Sequence, residues 1–259
     1  MNPAMWISKT GVQAQDAKLQ AIANNLANVN TVGFKRDRVM FEDLFYQVER
    51  QPGAQGEDGA AAPAGVQLGN GTRLVGTQKV FTNGGMQTTG QNMDVAIVGQ
   101  GFLQVEGPNG RPAYTRAGQL QVNAEGRLTN AQGLRIQPEI TVPAGATLTI
   151  SENGTVTATV NGTPNELGQL RLTNFTNPTG LLALGDNLYQ ETTASGAPTE
   201  GLPGAEGLGK IKQGALEGSN VQVVEEMVDM IAAQRTYEMN TKVLSAADSM
   251  LQYLSQAVR

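Results

Sequence analysis

Apolar residues recur every seven positions near the start of the chain. The first row of this pattern consists of Met5, Val12, Leu19 and Leu26. Ile22 and Val29 form a second row, three residues after members of the first. Two rows at this spacing make a narrow apolar stripe on a helix, and such a stripe requires a helical partner. The pattern predicts a first helix from about Pro3 to Val29.

The C-terminal segment repeats the seven-residue pattern over a greater length. Its main row consists of Val223, Met230, Tyr237, Leu244, Leu251 and Val258. A second row contains Ala233, Ala247 and Leu254. Ser219 and Gln222 fit a capping box, and heptads sustained over this length are typical of a coiled coil. We predict a coiled-coil-type helical domain formed by residues 1–33 and 219–259. The alternative is that both helices pack on a β domain as ordinary amphipathic helices.

Between the two helical segments, apolar positions alternate with polar ones. TLTISENGTVTATV, residues 147–160, alternates on both sides of an Asn-Gly pair, which is a strong hairpin signal. YTRAGQLQVNAEGRLT, residues 114–129, repeats the pattern around a Glu-Gly pair. The chain contains 32 glycines, which favours many tight turns. We predict a central β-rich domain of short antiparallel strands over residues 69–218, and an α+β fold for the whole chain.

A segment without periodicity connects the first helix to the predicted β domain. Residues 51–65 are rich in Gly, Ala and Pro, a composition typical of an extended excursion. We predict a linker over residues 34–68. It begins with KRDR, Lys35 to Arg38, which we interpret as a surface contact or salt-bridge element because Asp37 interrupts the cations.

Composition argues against most enzymes and against nucleic-acid binding. The net charge is −5, so the cationic surface that binds phosphates is missing. The absence of cysteine and histidine excludes thiolate metal sites and removes the commonest general base. GAEGLGKI matches most of a phosphate-binding loop, but Ile211 replaces the hydroxyl residue that binds magnesium. We expect no catalytic, cofactor-binding or metal-binding residues; an unusual carboxylate-only active site is the enzymatic alternative.

Both ends of the chain resemble signatures of one protein family. SKTGVQAQDAKLQAIANNLANVNTVGFKR, residues 8–36, resembles the N-terminal signature of the bacterial flagellar axial proteins, the rod and hook subunits. GALEGSNVQVVEEMVDMIAAQRTYEMNTKVLSAADSMLQ, residues 214–252, resembles their C-terminal signature. DVAIVGQGFLQV and YTRAG in the middle also match. A structural adhesin would share the β-rich middle but not the terminal heptads.

Within that family, the segment after the first helix resembles one type of subunit. FKRDRVMFEDLFYQVERQPGAQ, residues 34–55, together with the length and the single β domain, is similar to the distal rod. The alternative is another axial protein, a proximal rod or hook subunit. The resemblance implies a structural subunit that self-assembles into a helical tubular drive shaft, transmits torque from motor to hook and encloses the export channel. It also implies that the excursion after Tyr46 makes the rod straight and stiff.

The resemblance further implies partners and a location. The expected partners are copies of the same chain, the proximal rod and hook subunits, the surrounding P and L ring bushing, and the flagellar type III export apparatus. The expected location is the periplasm-spanning rod of the basal body. Export by that apparatus explains an N-terminus without the features of a cleavable secretory signal. The chain has no apolar run long enough for direct membrane insertion.

The self-assembly interface is expected on the two ends of the chain. Its predicted residues are Met5, Val12, Leu19, Ile22, Asn24, Asn25, Leu26, Asn28, Val29, Val223, Met230, Tyr237, Leu244, Leu251, Leu254 and Val258. Burial of these positions against neighbouring subunits would remove apolar surface from water.

Four asparagines crowd the end of the predicted first helix. Asparagine competes for backbone hydrogen bonds, so Asn24, Asn25, Asn28 and Asn30 are more than a helix end requires. We hypothesise that Asn28 or Asn30 caps the helix and that Gly33 takes a positive φ where the chain turns. Asn24 and Asn25 would pair with neighbouring subunits and fix their register, as a buried asparagine does in a coiled coil.

Overall fold

The chain divides into two compact units. The structure, a computed structural model, describes residues 3–52, 64–107, 110–160, 162–205 and 207–257. Most of the predicted 51–65 excursion and Val258 lie outside the described residues. The helical unit comprises Met1–Leu26, Asp37–Gln78 and Val223–Arg259. The β unit comprises Ala27–Arg36 and Lys79–Gln222. The domain boundaries drawn from composition, at residues 33, 68 and 218, stay predictions.

The helical unit contains two long helices that run antiparallel. Helix α1 spans Pro3–Ala27 and helix α2 spans Val223–Ala257. Lys18 on α1 forms an ion pair with Asp229 at 3.0 Å, and Asn25, further along α1, meets Glu226, earlier on α2. Contacts that advance along one helix and retreat along the other define the antiparallel arrangement. The helices expected at both ends of the chain are therefore present.

The predicted coiled-coil-type packing of these helices is wrong. On α2 the buried residues are Glu226, Ala233 and Ala247, whereas the predicted heptad residues Val223, Tyr237 and Leu251 are 39%, 37% and 40% exposed. The buried residues of α1 are Ser8, Thr10, Ala14, Ile22 and Asn25. A coiled coil buries large apolar side chains at its seam, but this seam is mainly small and polar. The period of seven was correct, but the second predicted row of α2, which contains Ala233 and Ala247, faces the partner helix instead of the main row.

Two short antiparallel ribbons complete the helical unit. Strand β1 (Asp37–Asp43) pairs with β4 (Thr72–Lys79), and β2 (Gln47–Arg50) pairs with β3 (Val66–Leu68). β4 begins beside α1, where the backbone N–H of Thr72 donates to the hydroxyl of Thr10 at 3.3 Å.

The β unit consists of short strands joined by tight turns. In chain order they are β5 (Met86–Thr88), β6 (Val95–Val98), β7 (Phe102–Glu106), β8 (Pro112–Thr115), β9 (Leu120–Val122), β10 (Leu128–Asn130), β11 (Ile136–Gln137), β12 (Thr147–Ile150), β13 (Thr155–Val160), β14 (Thr163–Gln169), β15 (Leu172–Asn174), β16 (Leu182–Gly185), β17 (Leu188–Gln190), β18 (Thr199–Gly201), β19 (Lys210–Gln213) and β20 (Ala215–Glu217). A short 3₁₀ helix spans Pro178–Gly180.

The largest sheet of the β unit has the strand order β16-β17-β8-β7-β15-β18, and β11 pairs with β7. A second sheet has the order β12-β13-β14, and three strand pairs, β9–β10, β6–β19 and β5–β20, complete the unit. Both predicted hairpins are confirmed: Ile150 pairs with Val156 in one, and Val122 pairs with Leu128 in the other. The GAEGLGKI segment leads into strand β19 rather than a helix, unlike a phosphate-binding loop.

Two groups of buried side chains form the core of the β unit. The larger one is aliphatic and includes Val105, Ile136, Val156 and Leu170 among its fully buried members. The smaller one is aromatic: its rings meet edge to face, with centroids 4.8 to 5.9 Å apart. Its members are Phe102, Tyr114, Phe175, Leu181 and Tyr189.

Candidate assembly interface

The outer side of α2 carries a row of exposed apolar residues. They are Val224, Met227, Val228, Ile231, Met239, Val243, Met250 and Tyr253, which we call the α2 outer face. Val224, Val228 and Ile231 lie on the side of the helix opposite Glu226 and Ala233, whereas Val243 and Met250 flank the buried Ala247, four residues before it and three after it. A folded monomer rarely leaves so many large apolar side chains of one helix exposed. The α2 outer face is therefore the strongest candidate for a protein interface in the helical unit.

The ribbons of the helical unit expose a second set of apolar side chains. Phe45 is 92% exposed, and Tyr46, between the first two strands, is also exposed. Strands β1 and β4 add Met40, Phe41, Leu74 and Val75. A two-stranded ribbon cannot cover both of its own faces, so these side chains need a further element to bury them.

Asn25 fastens the end of α1 to the rest of the helical unit. Its Nδ2 donates to the backbone oxygen of Asp37 at 3.0 Å and to both carboxylate oxygens of Glu226 at 3.3 Å. Its Oδ1 accepts from the backbone N–H of Asp37 at 2.7 Å. Asn25 is thus buried with partners on β1 and in the first turn of α2, all within the same chain.

The neighbouring asparagines have different positions. Asn24 is exposed, and its Nδ2 donates to the Asp37 carboxylate at 3.0 Å. In the β unit, the hydroxyl of Thr31 donates to Asn28 Oδ1 at 3.1 Å, which shapes the turn after the helix. Gly33 has a φ of 72°, as predicted. That Asn24 and Asn25 pair with neighbouring subunits stays a prediction; in the single chain their partners are Asp37 and Glu226.

The structure separates the predicted interface residues into three groups. Ile22 and Asn25 are buried. The partly buried ones are Met5, Val12, Leu19, Leu26, Asn28, Val29, Met230 and Leu244. The exposed ones are Asn24, Val223, Tyr237 and Leu251. The side chain of Leu254 lies outside the described residues, as Val258 does. The α2 outer face was not predicted as an interface, although the sequence contains its apolar residues at intervals of three and four.

The KRDR segment is not simply a surface element. Lys35 is fully buried and forms an ion pair with Glu217 at 2.8 Å. Arg36 is partly buried and Arg38 is exposed. The salt-bridge part of the interpretation is correct for Lys35, but its location is internal.

Across the described ranges, no three acidic, histidine or cysteine side chains are grouped so that they could hold a metal ion. In the same part of the chain, no helix is both long and apolar enough to cross a membrane.

Comparison with known proteins connects this architecture to a family. Residues 6–35 match the family model "Flagella basal body rod protein", and residues 96–158 match "Flagellar hook protein FlgE/F/G D1 domain". Residues 212–257 match "Flagellar basal body rod FlgEFG protein C-terminal". The flagellar basal-body rod protein FlgG of Buchnera aphidicola from Acyrthosiphon pisum is 49% identical over 259 residues, covering 99% of this chain and 100% of the relative. The chain belongs to the FlgG family of flagellar basal-body rod proteins.

Other FlgG proteins extend the similarity across distant bacteria. FlgG of Borreliella burgdorferi is 44% identical, and FlgG of Bacillus subtilis is 35% identical, each covering 97% of both chains. The family resemblance of the two ends is confirmed, and the chain is a structural subunit of the bacterial flagellar rod. The α2 outer face lies within the segment matched by the C-terminal model.

Proposed function

We propose that the chain forms the distal section of the rod, a helical tubular drive shaft that transmits torque from motor to hook and encloses the export channel. The observation that supports this most directly is the α2 outer face, which is apolar and exposed in the single chain. The FlgG relatives align over almost their whole length, which favours the distal rod over a proximal rod or hook subunit. The chain acts as a structural component and not as an enzyme.

The α2 outer face is suited to a contact that repeats. Burying a half-exposed apolar side chain contributes roughly 1 kcal/mol, so eight of them contribute about 8 kcal/mol. The loss of translational and rotational freedom on association costs about 4 to 15 kcal/mol. A single pair of subunits would therefore bind weakly. A polymer in which each subunit meets several neighbours would hold together.

The ribbons supply the second proposed contact with neighbouring subunits. Phe45 and Tyr46 are exposed in the segment after β1, at the start of the excursion that the resemblance associates with a straight, stiff rod. Burial of these aromatics would fix one subunit against the next and oppose bending. We propose this contact as the source of the straight, stiff rod.

The interface residues predicted from the sequence remain part of the proposed contact between subunits. The half-exposed heptad residues of α1 and α2 would meet neighbouring subunits alongside the α2 outer face. Asn24, at the surface, would contribute to subunit register, whereas Asn25 has its partners within the chain. The further partners would be the proximal rod and hook subunits, the P and L ring bushing and the type III export apparatus. The location would be the periplasm-spanning rod, reached without a cleavable signal peptide.

Electron microscopy of the purified protein under assembly conditions tests the proposal. The full chain should form filaments, and a version without residues 1–30 and 221–259 should not. A double variant, Val224→Lys with Val228→Lys, should lose filaments but keep the monomer's circular dichroism, because lysines on the α2 outer face repel one another when buried together. Gln121→Lys, an exposed position in β9, is the control with added positive charge. Filaments of normal appearance from the double variant would refute the assigned face.

A further inference from the structure

A cluster of three charged side chains lies inside the β unit. Lys35, Arg116 and Glu217 are 0%, 2% and 1% exposed. Glu217 Oε1 accepts from Lys35 Nζ at 2.8 Å, and Glu217 Oε2 accepts from Arg116 Nε at 2.8 Å. Two cations thus share one carboxylate. Buried charges of this kind are tolerated only when they are paired and fully hydrogen-bonded.

The remaining donors of the two cations reach backbone carbonyls. Lys35 Nζ donates to the carbonyl of Thr82 at 2.7 Å. The Arg116 guanidinium donates to the carbonyls of Gly99 at 2.8 Å, Gly101 at 3.1 Å and Ile97 at 3.4 Å. Its other partner is the side-chain oxygen of Asn83 at 3.3 Å. Within the described residues every buried side-chain nitrogen or oxygen has a partner, so the cluster holds no free polar atom.

The cluster joins the first passage of the chain through the β unit, Ala27–Arg36, to the end of the second, Lys79–Gln222; we call residues 33–36 the entry segment and residues 217–220 the exit segment. The backbone N–H of Gly33 donates to the carbonyl of Glu217 at 2.8 Å. The N–H of Arg36 donates to the side chain of Asn220 at 2.8 Å, and the carbonyl of Arg36 accepts from Val80 at 3.0 Å. Residues 33–36 are therefore held between residues 217–220 on one side and the segment after β4 on the other.

Two glycines allow the backbone segments around the cluster to lie in close contact. Gly33 has a φ of 72°, and a Cβ at this position would lie 2.8 Å from the backbone of Arg116. A Cβ on Gly84 would collide with the carbonyl of Gly218. The N–H of Gly84 donates to Glu217 Oε1 at 3.0 Å. The backbone segments around the cluster thus approach each other more closely than side chains would allow.

We propose that Lys35, Arg116 and Glu217 form a latch that holds the entry segment 33–36 and the exit segment 217–220 of the β unit side by side. The latch needs one residue from each segment and a third from the middle of the chain. It closes only when the β unit is folded and both segments are present. The contacts that form it lie within one subunit and do not depend on the proposed polymer.

Charge makes the latch specific. Any slip of either segment along the other would separate Glu217 from one of its two cations and leave a charge unpaired in the interior. An apolar contact of the same size would tolerate such a slip at lower cost. β1 begins at Asp37, directly after the entry segment, and α2 begins at Val223, three residues after the exit segment, so within the β unit the latch fixes the ends of the chain that lead to these two elements.

Hydrogen exchange of the full chain tests the latch. Lys35→Met removes one cation of the cluster but leaves Glu217 paired with Arg116, so the β unit should keep its fold. Protection of the Gly33 and Val80 amides should fall about ten- to hundred-fold, because the anchor of the entry segment is lost. Strands β7 and β13 should keep their protection. Lys210→Met, whose exposed lysine pairs with Glu152 at the surface, is the control and should change neither region.

A second pair of variants tests the shared carboxylate. Glu217→Gln should lower protection of the same amides by more than about a hundred-fold, because it leaves two buried cations without an anion. Adding Lys35→Met to Glu217→Gln should restore part of that protection, since one of the unpaired cations is then gone. Independent contributions would instead give a larger loss in the double variant, and this result would overturn the latch. Unchanged Gly33 protection in Lys35→Met, or an equal loss in β7 and β13, would overturn it as well.

Discussion

Two adjacent asparagines should differ sharply in their effect on the helical unit. Asn25→Ala removes a buried amide with three sets of hydrogen bonds, whereas Asn24→Ala removes an exposed amide bonded to the Asp37 carboxylate. The two substitutions are chemically identical and lie one position apart on the same helix. Any difference between them reports the local surroundings and not the helical preference of asparagine.

The expected size of the effect follows from the bonds that are lost. Asn25→Ala leaves the part-buried N–H of Asp37 without its acceptor, at a cost of about 2 kcal/mol. The bonds to the Asp37 carbonyl and, at 3.3 Å, to Glu226 add about 1 kcal/mol each. The higher helix propensity of alanine offsets roughly 0.6 kcal/mol of this loss in the free energy of unfolding. The net loss is about 3 kcal/mol for Asn25→Ala and close to zero for Asn24→Ala.

Urea unfolding followed by far-UV circular dichroism measures this difference in the dilute, unpolymerised protein. The signal reports α1 and α2, which are 25 and 35 residues long. A loss of about 3 kcal/mol lowers the midpoint by about 1 to 2 M urea, given the usual slopes. Hydrogen exchange at the Asp37 amide provides a local check and should accelerate only in Asn25→Ala. Equal midpoints for the two variants would refute the account of Asn25.

Other substitutions test the core, a tyrosine and the helix contact. Val105→Ala should lower the free energy of unfolding by about 2 kcal/mol in thermal or urea unfolding, and Val98→Ala, at the surface, by less than about 0.5 kcal/mol. Burial, followed by the nearby carboxylates, raises the pKa of Tyr114 from 10.0 to about 12. As pH rises, this tyrosine therefore loses its proton in the unfolded chain before it does so in the folded one, and the free energy of unfolding should fall between pH 10 and about 12. Tyr114→Phe should make that fall smaller when unfolding by urea is measured across this pH range. Gly11→Ala alone would place a Cβ 2.9 Å from the side-chain amide of Asn240. When Asn240→Ala removes that amide, Gly11→Ala should stabilise α1 by about 1 kcal/mol in the same assay, because alanine is the better helix former.

The sequence predicted the helices and hairpins because their signals are local. A hairpin such as β12–β13 is encoded by alternation and by an Asn-Gly turn within 14 residues, the span of residues 147–160. The heptads likewise identified both terminal helices. They did not determine which row of α2 faces α1, because a period of seven is compatible with either row. That choice depends on the small size of α1 residues such as Gly11, where a Cβ would lie 2.9 Å from Asn240, seven residues after Ala233.

The buried polar contacts could not be predicted from the sequence. Lys35 lies in a segment that is rich in charge and therefore resembles a surface segment. Its partners Arg116 and Glu217 are distant in sequence, and nothing local distinguishes them from exposed charges. Asn25 was singled out because asparagines crowd the end of α1, but its bonds to Asp37 and Glu226 exist only after the chain has folded back. Long-range pairing of this kind has no periodic signal.

The adjacency of Gly33 and Glu217 has a consequence for how such chains can change. The chain passes through the β unit twice, over Ala27–Arg36 and Lys79–Gln222, and the Gly33–Glu217 hydrogen bond joins the first passage to the end of the second. Insertions in the turns between strands of the second passage would therefore enlarge the β unit without moving this junction. A foreign domain placed in one of those turns would leave the junction intact, provided that its own two termini lie close together.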